Sequence, residues 1–264
     1  MSSRYARQEL IADWNQELIS SASIAVVGAG ALGNFVCLGI TGLGIGALTL
    51  VDNDILERSN LNRQLIFTEK DIGSSKAAAL AARLQERNRD VLVTAINERI
   101  TATNLADIIG DPDILIDAVD NLPTRVLLSR YALIKGIPLV HGATSHDGGQ
   151  IAVITRDTPC YECFTNTDRI AEAQAQSCSS LPMPSVSYVN QIIAGLMVEN
   201  VRILLNPLQG ESVIKPLLYY DLRNPQRFFS CEIQRKDQCV CLDILSELKN
   251  EAPFSTTKNA QEVI

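Results

Sequence analysis

The chain has 264 residues and a net charge of −7 at neutral pH, and its hydrophobic and charged fractions of 46% and 20% are typical of globular domains. This composition excludes a mainly disordered, collagen-like or coiled-coil protein, and the length fits one large domain or one domain with a small subdomain. The acidic balance argues against broad nucleic-acid binding, which needs clustered Lys and Arg, and the aromatic fraction of 5% argues against a base-stacking surface.

A segment without charged side chains extends from Leu18 to Val51 and is long enough for a membrane span. It contains seven glycines between Gly28 and Gly46, however, and each would weaken a lone helix by about 1 kcal/mol relative to alanine. We therefore predict a strand, a tight turn, a helix and a second strand in this segment, and no membrane span.

The N-terminus and the cysteines bear on the cellular compartment. The first five residues have no apolar core, so we do not expect a secretory signal. Seven cysteines, an odd number, without an export signal predict a reducing, cytoplasmic location. In such a compartment, close cysteine pairs are interpreted as metal ligands or reactive thiols before disulfides.

Apolar runs alternate with helical patterns over the first 155 residues. The run Ile114-Leu115-Ile116 is apolar on both faces, as expected for a buried parallel strand. Strands are predicted at residues 23–28, 47–52, 91–97, 113–119, 137–141 and 149–155, and helices at residues 31–41, 74–89 and 123–135. This alternation predicts an α/β fold with a doubly wound, mostly parallel, Rossmann-like sheet.

The pattern changes after residue 155. Residues 164–184 are polar and lack glycine, which predicts a long, mobile crossing segment. The next predicted elements are a helix at residues 186–205, with a stripe of Val189, Ile192, Ile193, Leu196 and Val201, and antiparallel strands at residues 217–221 and 227–233. The chain is thus divided into a Rossmann-like part (1–155), an antiparallel C-terminal extension (156–251) and a polar tail (252–264).

A glycine-rich motif follows the first predicted strand. In the run Gly28-Ala29-Gly30-Ala31-Leu32-Gly33, the three glycines permit a tight turn and a close approach of the backbone to phosphate. Asp52 ends the next strand, 19 residues after the last glycine, where a carboxylate can accept hydrogen bonds from ribose hydroxyls. The pattern predicts nucleotide binding. Alone it is equally compatible with NAD, or with glycines that serve only close packing.

Polar residues further along the chain favour a triphosphate over a nicotinamide. Lys76 opens a predicted helix, Asp120 and Asn121 close the fourth predicted strand, and Arg125 follows one helical turn later. Cations and a carboxylate at the carboxyl end of a parallel sheet suit a triphosphate bound with Mg²⁺.

The order of these motifs resembles that of the ThiF/MoeB/HesA adenylyltransferases, the bacterial and archaeal relatives of ubiquitin-activating enzymes. The resemblance covers roughly residues 4–242 and rests on the glycine motif, Asp52, Lys76 and three short runs. The runs are Arg4-Tyr5-Ala6-Arg7-Gln8, Ser59-Asn60-Leu61-Asn62-Arg63-Gln64 and Asp117-Ala118-Val119-Asp120-Asn121. The resemblance implies ATP-dependent adenylation of the C-terminal Gly-Gly carboxylate of a small β-grasp, ubiquitin-like protein, with release of pyrophosphate.

The resemblance also implies roles for individual residues. A carboxylate must approach the α-phosphate of an anionic nucleotide, and fixed cations can screen the like charges without a proton-shuttling base. By analogy with the family, Asp120 holds Mg²⁺, Lys76 and Arg63 neutralise phosphate, Asn60 helps to orient it, Asp52 holds the ribose, and Asn121 belongs to the same nucleotide site. Arg7 reaches the phosphates of the neighbouring subunit, which implies a homodimer with two composite sites.

Two close cysteine pairs, Cys160 with Cys163 and Cys239 with Cys241, predict a structural zinc site. Four thiolates form a closed tetrahedral site that would staple the C-terminal segment to the sheet. The resemblance supports zinc, since many family members carry two C-x-x-C pairs at these places. The second pair here is C-x-C, which leaves Cys231 as an alternative ligand and free thiols as the alternative to a metal.

Two other cysteines carry separate expectations. Cys178 lies in the predicted crossing segment, where the resemblance implies a cysteine that can bond covalently to the activated carrier or to sulfur. An exposed thiol on a mobile loop has the access that such exchange needs, and the alternative is a spectator thiol. Cys37 is expected in the core of the first helix. Residues 156–251, held by zinc, are expected to bind the carrier protein.

The leading hypothesis is activation of a sulfur-carrier protein, with a separate sulfur donor because no length remains for a C-terminal rhodanese domain. Adenylation of a small molecule or of an RNA-borne carboxylate, as in tRNA threonylcarbamoyladenosine dehydratase, is opposed by the cysteine pairs and the acidic balance. A non-catalytic subunit of a heterodimeric activating enzyme would lack Asp120, Lys76 or Arg63. An NAD dehydrogenase is disfavoured because His141 and His146, the two histidines, are expected to have packing roles.

Overall fold

The computed structural model describes residues 3–165, 184–213 and 217–250, which form an eight-stranded sheet in the order β3-β2-β1-β4-β5-β6-β7-β8. The strands are β1 (Ser23–Val27), β2 (Ala47–Val51), β3 (Leu92–Ile96), β4 (Ile114–Asp117), β5 (Leu139–Thr144), β6 (Gly148–Ile154), β7 (Leu217–Asp221) and β8 (Phe228–Cys231). Strands β1 to β5 pair in parallel. Strands β6 to β8 extend the sheet by antiparallel pairing. The predicted α/β class and mixed sheet are confirmed.

Helices cover both faces of this sheet. They are α1 (Gln16–Ser21), α2 (Ala31–Leu43), α3 (Lys76–Arg87), α4 (Leu105–Ile109), α5 (Leu122–Lys135), α6 (Tyr161–Phe164), α7 (Ser187–Leu205) and α8 (Val240–Asn250), with two short 3-10 turns at Arg58–Asn60 and Glu69–Asp71. The chain order of β1, α2, β2, α3 and β3 and of β4, α5 and β5 is that of a doubly wound fold.

Glycine and asparagine residues define the ends of α2 and α5, the two helices that follow β1 and β4 at the carboxyl edge of the sheet. Gly30 precedes α2, and Gly44 ends it with a φ of +83°, a conformation that glycine adopts without a steric penalty. The Asn121 side chain accepts a hydrogen bond from the Thr124 N–H and caps α5, which ends at Gly136 with a φ of +74°. Each helix therefore starts directly behind the carboxyl end of a strand.

Alternation along the strands divides the interior into two cores. On β1, Ile24 and Val26 face the core that α2, α3 and α7 cover, while Ala25 and Val27 face the core that α4, α5 and α8 cover. The second core also contains four cysteines, Cys160, Cys163, Cys239 and Cys241. The carboxyl edge of the sheet, between these two layers, is where the predicted nucleotide site lies.

The charge-free segment from Leu18 to Val51 folds as predicted, because it contains β1, α2 and β2. Cys37 of α2 is fully buried, which confirms its expected place in the core. Among the helices of the described residues, none has the length and apolar character needed to cross a membrane.

Four helices of the described residues were not predicted from the sequence, and one of them, α6, has only four residues. The helices α1 and α4 have six and five residues, too few for two apolar repeats of a helical pattern. The helix α8 has eleven residues, which is the short limit of the window in which that period is distinguishable. Most of the predicted crossing segment, all of the tail from residue 252, and Cys178 lie outside the described residues.

The helix α7 packs along the stripe that the sequence predicts. Val189, Ile193 and Val201 are buried, and Ile192 and Leu196 are half-buried at the margin of the stripe. The stripe faces α2 and the strands β5 and β6, so α7 closes one face of the sheet.

Replacing Ile193, which is fully buried, by alanine should lower the free energy of unfolding by about 2–5 kcal/mol. The lost methyl groups leave a cavity against β6, where Ile193 contacts the backbone at Gly149. Glu199→Ala, at an exposed position of the same helix, is the matched control and should change stability by about 0.5 kcal/mol at most. Urea denaturation measures both, and equal stabilities of the two variants would contradict this packing.

Candidate active site and cysteine cluster

The glycine motif forms a tight turn between β1 and α2. Gly28 has a φ of +103°, and a Cβ atom there would lie 2.6 Å from the carbonyl oxygen of Ala118. A Cβ atom on Gly33 would lie 1.8 Å from the carbonyl oxygen of Gly28. These two glycines therefore serve close packing. The same construction at Gly30 meets no atom within 4 Å, so this position faces open space at the start of α2.

The carboxylate of Asp52 holds the glycine turn from the neighbouring strand. Its Oδ2 accepts a hydrogen bond from the Ala29 N–H at 2.6 Å, and its Oδ1 accepts one from the Asp54 N–H at 2.8 Å. Burial raises the pKa of Asp52, while these two N–H groups and the charge of Lys76 oppose that shift. Carboxylate oxygens accept more than one hydrogen bond each, so Asp52 retains acceptor capacity beyond the turn.

Lys76 begins α3 with its side chain only 9% exposed. Its Nζ donates to Oδ2 of Asp54 at 2.7 Å, and its backbone N–H donates to the Asp54 carbonyl at 2.9 Å. The Asp54 side chain is 59% exposed, so the pair lies at the boundary between the protein and solvent. Asp54 was not predicted as a site residue, although it stands two positions after Asp52 in the sequence.

Residues 59–64 form a compact turn beside this pair. The buried Asn60 side chain accepts a hydrogen bond from the Glu57 N–H at 3.0 Å, which closes the short helical turn before it. Nη1 of Arg63 donates to the Ser59 carbonyl at 2.8 Å and to Oδ1 of Asn62 at 2.9 Å. Oε1 of Gln64 is buried and has no partner among the described residues. Asn60 thus supports the turn, while Arg63 is half-exposed.

Asp120 stands at the carboxyl end of β4, in the turn before α5. Its side chain is exposed and makes no hydrogen bond or ion pair within the part of the chain that the structure describes. Its neighbour Asn121 is occupied as the cap of α5. Its charge interacts with that of Arg125. An exposed carboxylate that accepts no hydrogen bond from the described residues is the kind of hard oxygen ligand that binds Mg²⁺.

A buried polar row lies behind Asp120 on the face of the sheet that α5 covers. Asp117 of β4 and His141 of β5 are register partners, and Oδ2 of Asp117 lies 2.7 Å from Nδ1 of His141. Nε2 of Gln150, on β6, lies 3.1 Å from Nε2 of His141. Because Asp117 is an acceptor and the Gln150 amide a donor, the network assigns the proton of His141 to Nδ1. Burial lowers the pKa of His141 despite the hydrogen bond to Asp117, so the ring is neutral at pH 7.

The structure places Arg7 away from the glycine turn of its own chain. The ring of Tyr5 lies against Gly44, and Nε2 of Gln8 donates to the Leu43 carbonyl, both at the carboxyl end of α2. The 13 residues of α2 separate this end from Gly30 by about 20 Å. Arg7 is exposed there and is not brought together with the other predicted site residues.

The four cysteines of the two predicted pairs come together in a buried cluster. Their Sγ atoms all lie within 4.8 Å of one another, and the contacts between Cys160 and Cys163, Cys160 and Cys239, and Cys163 and Cys241 are 3.7, 3.4 and 3.7 Å. Tetrahedral zinc with bonds of about 2.3 Å separates its sulfur ligands by about 3.8 Å. Cys231, on β8, is not part of this group.

The protein surroundings shift the pKa values of the cysteine thiols in different directions. Burial raises the pKa of Cys160 and also that of Cys241, the latter to about 12. Burial also opposes ionisation of Cys163, but the backbone N–H groups of Lys236 and Cys160 outweigh it and lower the pKa of Cys163. Because burial disfavours the charged forms of Cys160 and Cys241, a positive charge among the four sulfur atoms would favour ionisation of these two thiols.

Polar contacts attach the second cysteine pair to the first. Nζ of Lys236 donates to the carbonyl groups of Glu162 and Thr165 at 2.7 and 2.6 Å. Nη2 of Arg235 donates to the Thr158 carbonyl at 2.9 Å. A partly buried ion pair between Arg130 and Glu162 at 2.8 Å joins the same segment to α5.

The comparisons with known proteins agree on one family. The family model described as ThiF family matches residues 2–241. The sulfur carrier protein adenylyltransferase of Thermus thermophilus is 35% identical over 254 residues, which cover 91% of this chain and 90% of that protein. The SAMP-activating enzyme E1 of Haloferax volcanii is 33% identical over 224 residues, which cover 83% of this chain and 80% of that protein.

The solved structures extend this likeness to the fold. A crystal structure of Escherichia coli MccB with ATP has a TM-score of 0.75 at 22% identity, covering 90% of this chain and 73% of that chain. At this level of identity the match concerns the α/β fold and its mixed sheet. With a family model that spans residues 2–241 and relatives above 30% identity over most of their length, the chain belongs to the ThiF family.

Proposed function

We propose that this chain activates a ubiquitin-like sulfur-carrier protein by transferring AMP from ATP to its C-terminal Gly-Gly carboxylate, with release of pyrophosphate. The curated relatives include named adenylyltransferases, and the chain is an enzyme of this adenylyltransferase class. Names of the relatives also refer to sulfur carrier proteins, which supports a carrier protein as the substrate. The observation that carries the proposal is the arrangement of Gly30, Asp52, Lys76 and Asp120 around one edge of the sheet.

The residues at this edge favour one orientation of the nucleotide, with its phosphates at Gly30 and its ribose at Asp52. The open position at Gly30 and the N–H groups of the first turn of α2, which has no side-chain cap among the described residues, suit the phosphates, because a helix N-terminus favours negative charge. Asp52, next to that turn, suits the ribose hydroxyls with the acceptor capacity that remains on its oxygens. The Lys76 ammonium then exchanges its contact with Asp54 for a phosphate oxygen, and Arg63 turns toward the same charge.

The chemistry needs little beyond this placement. A carboxylate oxygen of the carrier attacks the α-phosphorus, the bond from that phosphorus to the oxygen bridging to the β-phosphate breaks, and pyrophosphate leaves with the electron pair. No proton is transferred in this step, so the residues contribute by position and charge. Mg²⁺, when bound, neutralises phosphate charge, and the exposed Asp120 carboxylate is the protein ligand that fits it.

The two composite sites that the resemblance implies need a second subunit. Arg7 lies about 20 Å along α2 from Gly30 and is exposed. An exposed guanidinium so far from its own site is suited to contact phosphates bound by another copy. This geometry supports a homodimer in which each nucleotide site takes Arg7 from the partner.

The cysteine cluster suits zinc, which has a structural role in this proposal. Sulfur contacts of 3.4–3.7 Å fit the corners of a tetrahedral site, and the buried set leaves no open ligand position for catalysis. Zinc, when bound, would link Cys160 and Cys163 to Cys239 and Cys241 at the start of α8. The metal would thereby hold α6 and α8 together, and residues 156–251, which also supply β7 and β8 of the sheet, would be the part that binds the carrier.

Pyrophosphate exchange into ATP tests the activity. Purified carriers that end in Gly-Gly should support exchange, whereas the same carriers without their last two glycines, and small carboxylic acids, should not. Asp120→Ala and Lys76→Ala should each lower the exchange rate by about 100-fold or more, because each removes a charge aimed at phosphate. Lys70→Ala, which removes an exposed lysine from a nearby turn, is the control and should retain full exchange. Exchange at the normal rate in a folded Asp120→Ala or Lys76→Ala protein would remove that residue from the mechanism.

Mixing two inactive variants tests the composite site. Arg7→Ala should lose activity without losing dimerisation, and an equal mixture with Asp120→Ala should recover about a quarter of the wild-type rate, because half of the dimers are mixed and each has one intact site. A mixture of Asp120→Ala with Lys76→Ala is the matched control. Both residues come from the same chain as their glycine turn, so no intact site forms. Recovery in the control alone, or in neither mixture, would contradict the shared site.

Elemental analysis tests the metal. The purified protein should contain about one zinc ion per chain, and Cys239→Ser should lose most of it because one of four ligands is absent. Cys231→Ser is the control, since Cys231 lies outside the cluster, and it should retain the metal. A folded wild-type protein without metal would refute the zinc site, and zinc loss in Cys231→Ser alone would assign the ligand set differently.

A further inference from the structure

Both backbone polar groups of Val119, the residue before Asp120, are held by side chains. The Val119 N–H donates to Oδ1 of Asp117 at 3.1 Å. The Val119 carbonyl accepts from Nε and Nη2 of Arg125 at 3.2 and 2.6 Å. The peptide group that contains this carbonyl leads directly into Asp120. Since the strand ends at Asp117, these side chains replace the ladder hydrogen bonds that would otherwise fix the backbone here.

The two side chains that hold Val119 are themselves fixed from behind. Asp117 is fully buried, and its second oxygen accepts a hydrogen bond from Nδ1 of His141, which in turn accepts one from Gln150. Burial works against the charge of Arg125, but Asp117, together with Tyr161 and Asp120, outweighs it and raises the pKa of Arg125. The carboxylate of Asp117 thus accepts hydrogen bonds from the Val119 N–H and from His141, and its negative charge also favours the charged form of the Arg125 guanidinium.

The cysteine-bearing segment covers this network. The rings of Tyr161 and Phe164, on α6, lie 4.9 and 5.8 Å from the ring of His141. Cys160 directly precedes Tyr161 in the chain, so a ligand of the cysteine cluster is adjacent to a residue that contacts this network. The packing of α6 therefore holds His141 against Asp117 from the side of the cysteine cluster.

We propose that Asp117 and Arg125 are positioning residues for Asp120, which set the direction of its carboxylate by holding the Val119 backbone on both sides. The proposal rests on the proposed function in one respect, the role of Asp120 as the Mg²⁺ ligand. An apolar pair at the two positions would pack the same core without burying charge, but it would leave the Val119 N–H unpaired and the turn free to rotate. Burying these charges costs free energy, and in return the two side chains fix the orientation of the Val119 backbone.

Two variants remove parts of this support while keeping size and shape. Asp117→Asn replaces one of the two acceptor oxygens by an NH₂ donor, so that either the Val119 N–H or the His141 Nδ1–H loses its acceptor. Arg125→Lys keeps the positive charge but lacks the two-nitrogen contact with the Val119 carbonyl. Lys135→Arg is the matched control, because it exchanges the same two cations at the other end of α5. Melting temperatures identify which proteins are folded, and only folded variants are compared.

Calorimetric titration with ATP over a series of Mg²⁺ concentrations provides a measurement that does not depend on turnover. In Asp117→Asn and Arg125→Lys, the Mg²⁺ concentration that gives half of the gain in ATP affinity should rise about tenfold, the equivalent of one charge-assisted hydrogen bond. ATP affinity without Mg²⁺ should stay at the wild-type value, since these residues act through Asp120. A general loss of packing would instead lower the fraction of binding-competent protein and leave the Mg²⁺ dependence unchanged.

The outcomes separate this inference from the proposed function. Asp120→Ala should bind ATP with no response to Mg²⁺, and a normal response there would refute the metal role of Asp120 and this inference with it. A wild-type protein that binds no ATP with Mg²⁺ would refute the proposed function. If Asp120→Ala loses the response but Asp117→Asn and Arg125→Lys keep the wild-type Mg²⁺ dependence, only the positioning role is wrong.

Discussion

Parallel pairing of β1, β2 and β4 is the constraint on which the site depends. Val27 lies beside Val51 on one side and beside Asp117 on the other, so three strands end together at one edge of the sheet. Backbone N–H groups of Gly28 and Ala118 continue this pairing one residue beyond the strands. The glycine turn, the carboxylate after β2 and the turn after β4 are therefore brought together by the backbone, and the side chains refine a geometry that already exists.

Lys76 and Asp54 form an ion pair at this edge, and the solvent exposure of each side chain determines how easily the pair can separate. Lys76 is almost buried, whereas its partner Asp54 is mostly exposed. Releasing Asp54 to water costs little on the side of Asp54, because its carboxylate is already mostly solvated, but it leaves the Lys76 ammonium buried without a counter-charge. The buried ammonium then needs another anion, which a phosphate oxygen would supply in the proposed function. Asp52 differs, since two backbone N–H groups hold its oxygens and keep it in place.

The sequence predicted the features that a local pattern carries, and the structure added those that depend on neighbouring strands. The positions of the strands, the glycine turn and the helix that Lys76 opens follow from period and spacing, whereas the order of the strands in the sheet comes from the structure. The contact of Lys76 with Asp54 joins residues 22 apart, and that of His141 with Asp117 joins residues 24 apart. No local pattern encodes such pairs, because they arise only when the register of the sheet is fixed. His141 is buried, as its predicted packing role requires, but it also has a polar partner that spacing could not reveal.

The C-terminal segment also depends on contacts between residues that are distant in the sequence, and here the separations are longer than those of the two side-chain pairs described above. Its second cysteine pair meets the first across 78 positions of the chain, and its other contacts there include donors from Lys236 and Arg235 to backbone carbonyls. Four buried thiols stabilise little by themselves, since burial disfavours their ionisation and thiols are weak hydrogen-bond partners. A cation that binds the four sulfurs displaces their protons, so its binding energy becomes folding energy of this segment. The helix that begins after Cys160 packs on His141, so the cysteine cluster is connected by direct contacts to the buried network behind the Asp120 turn.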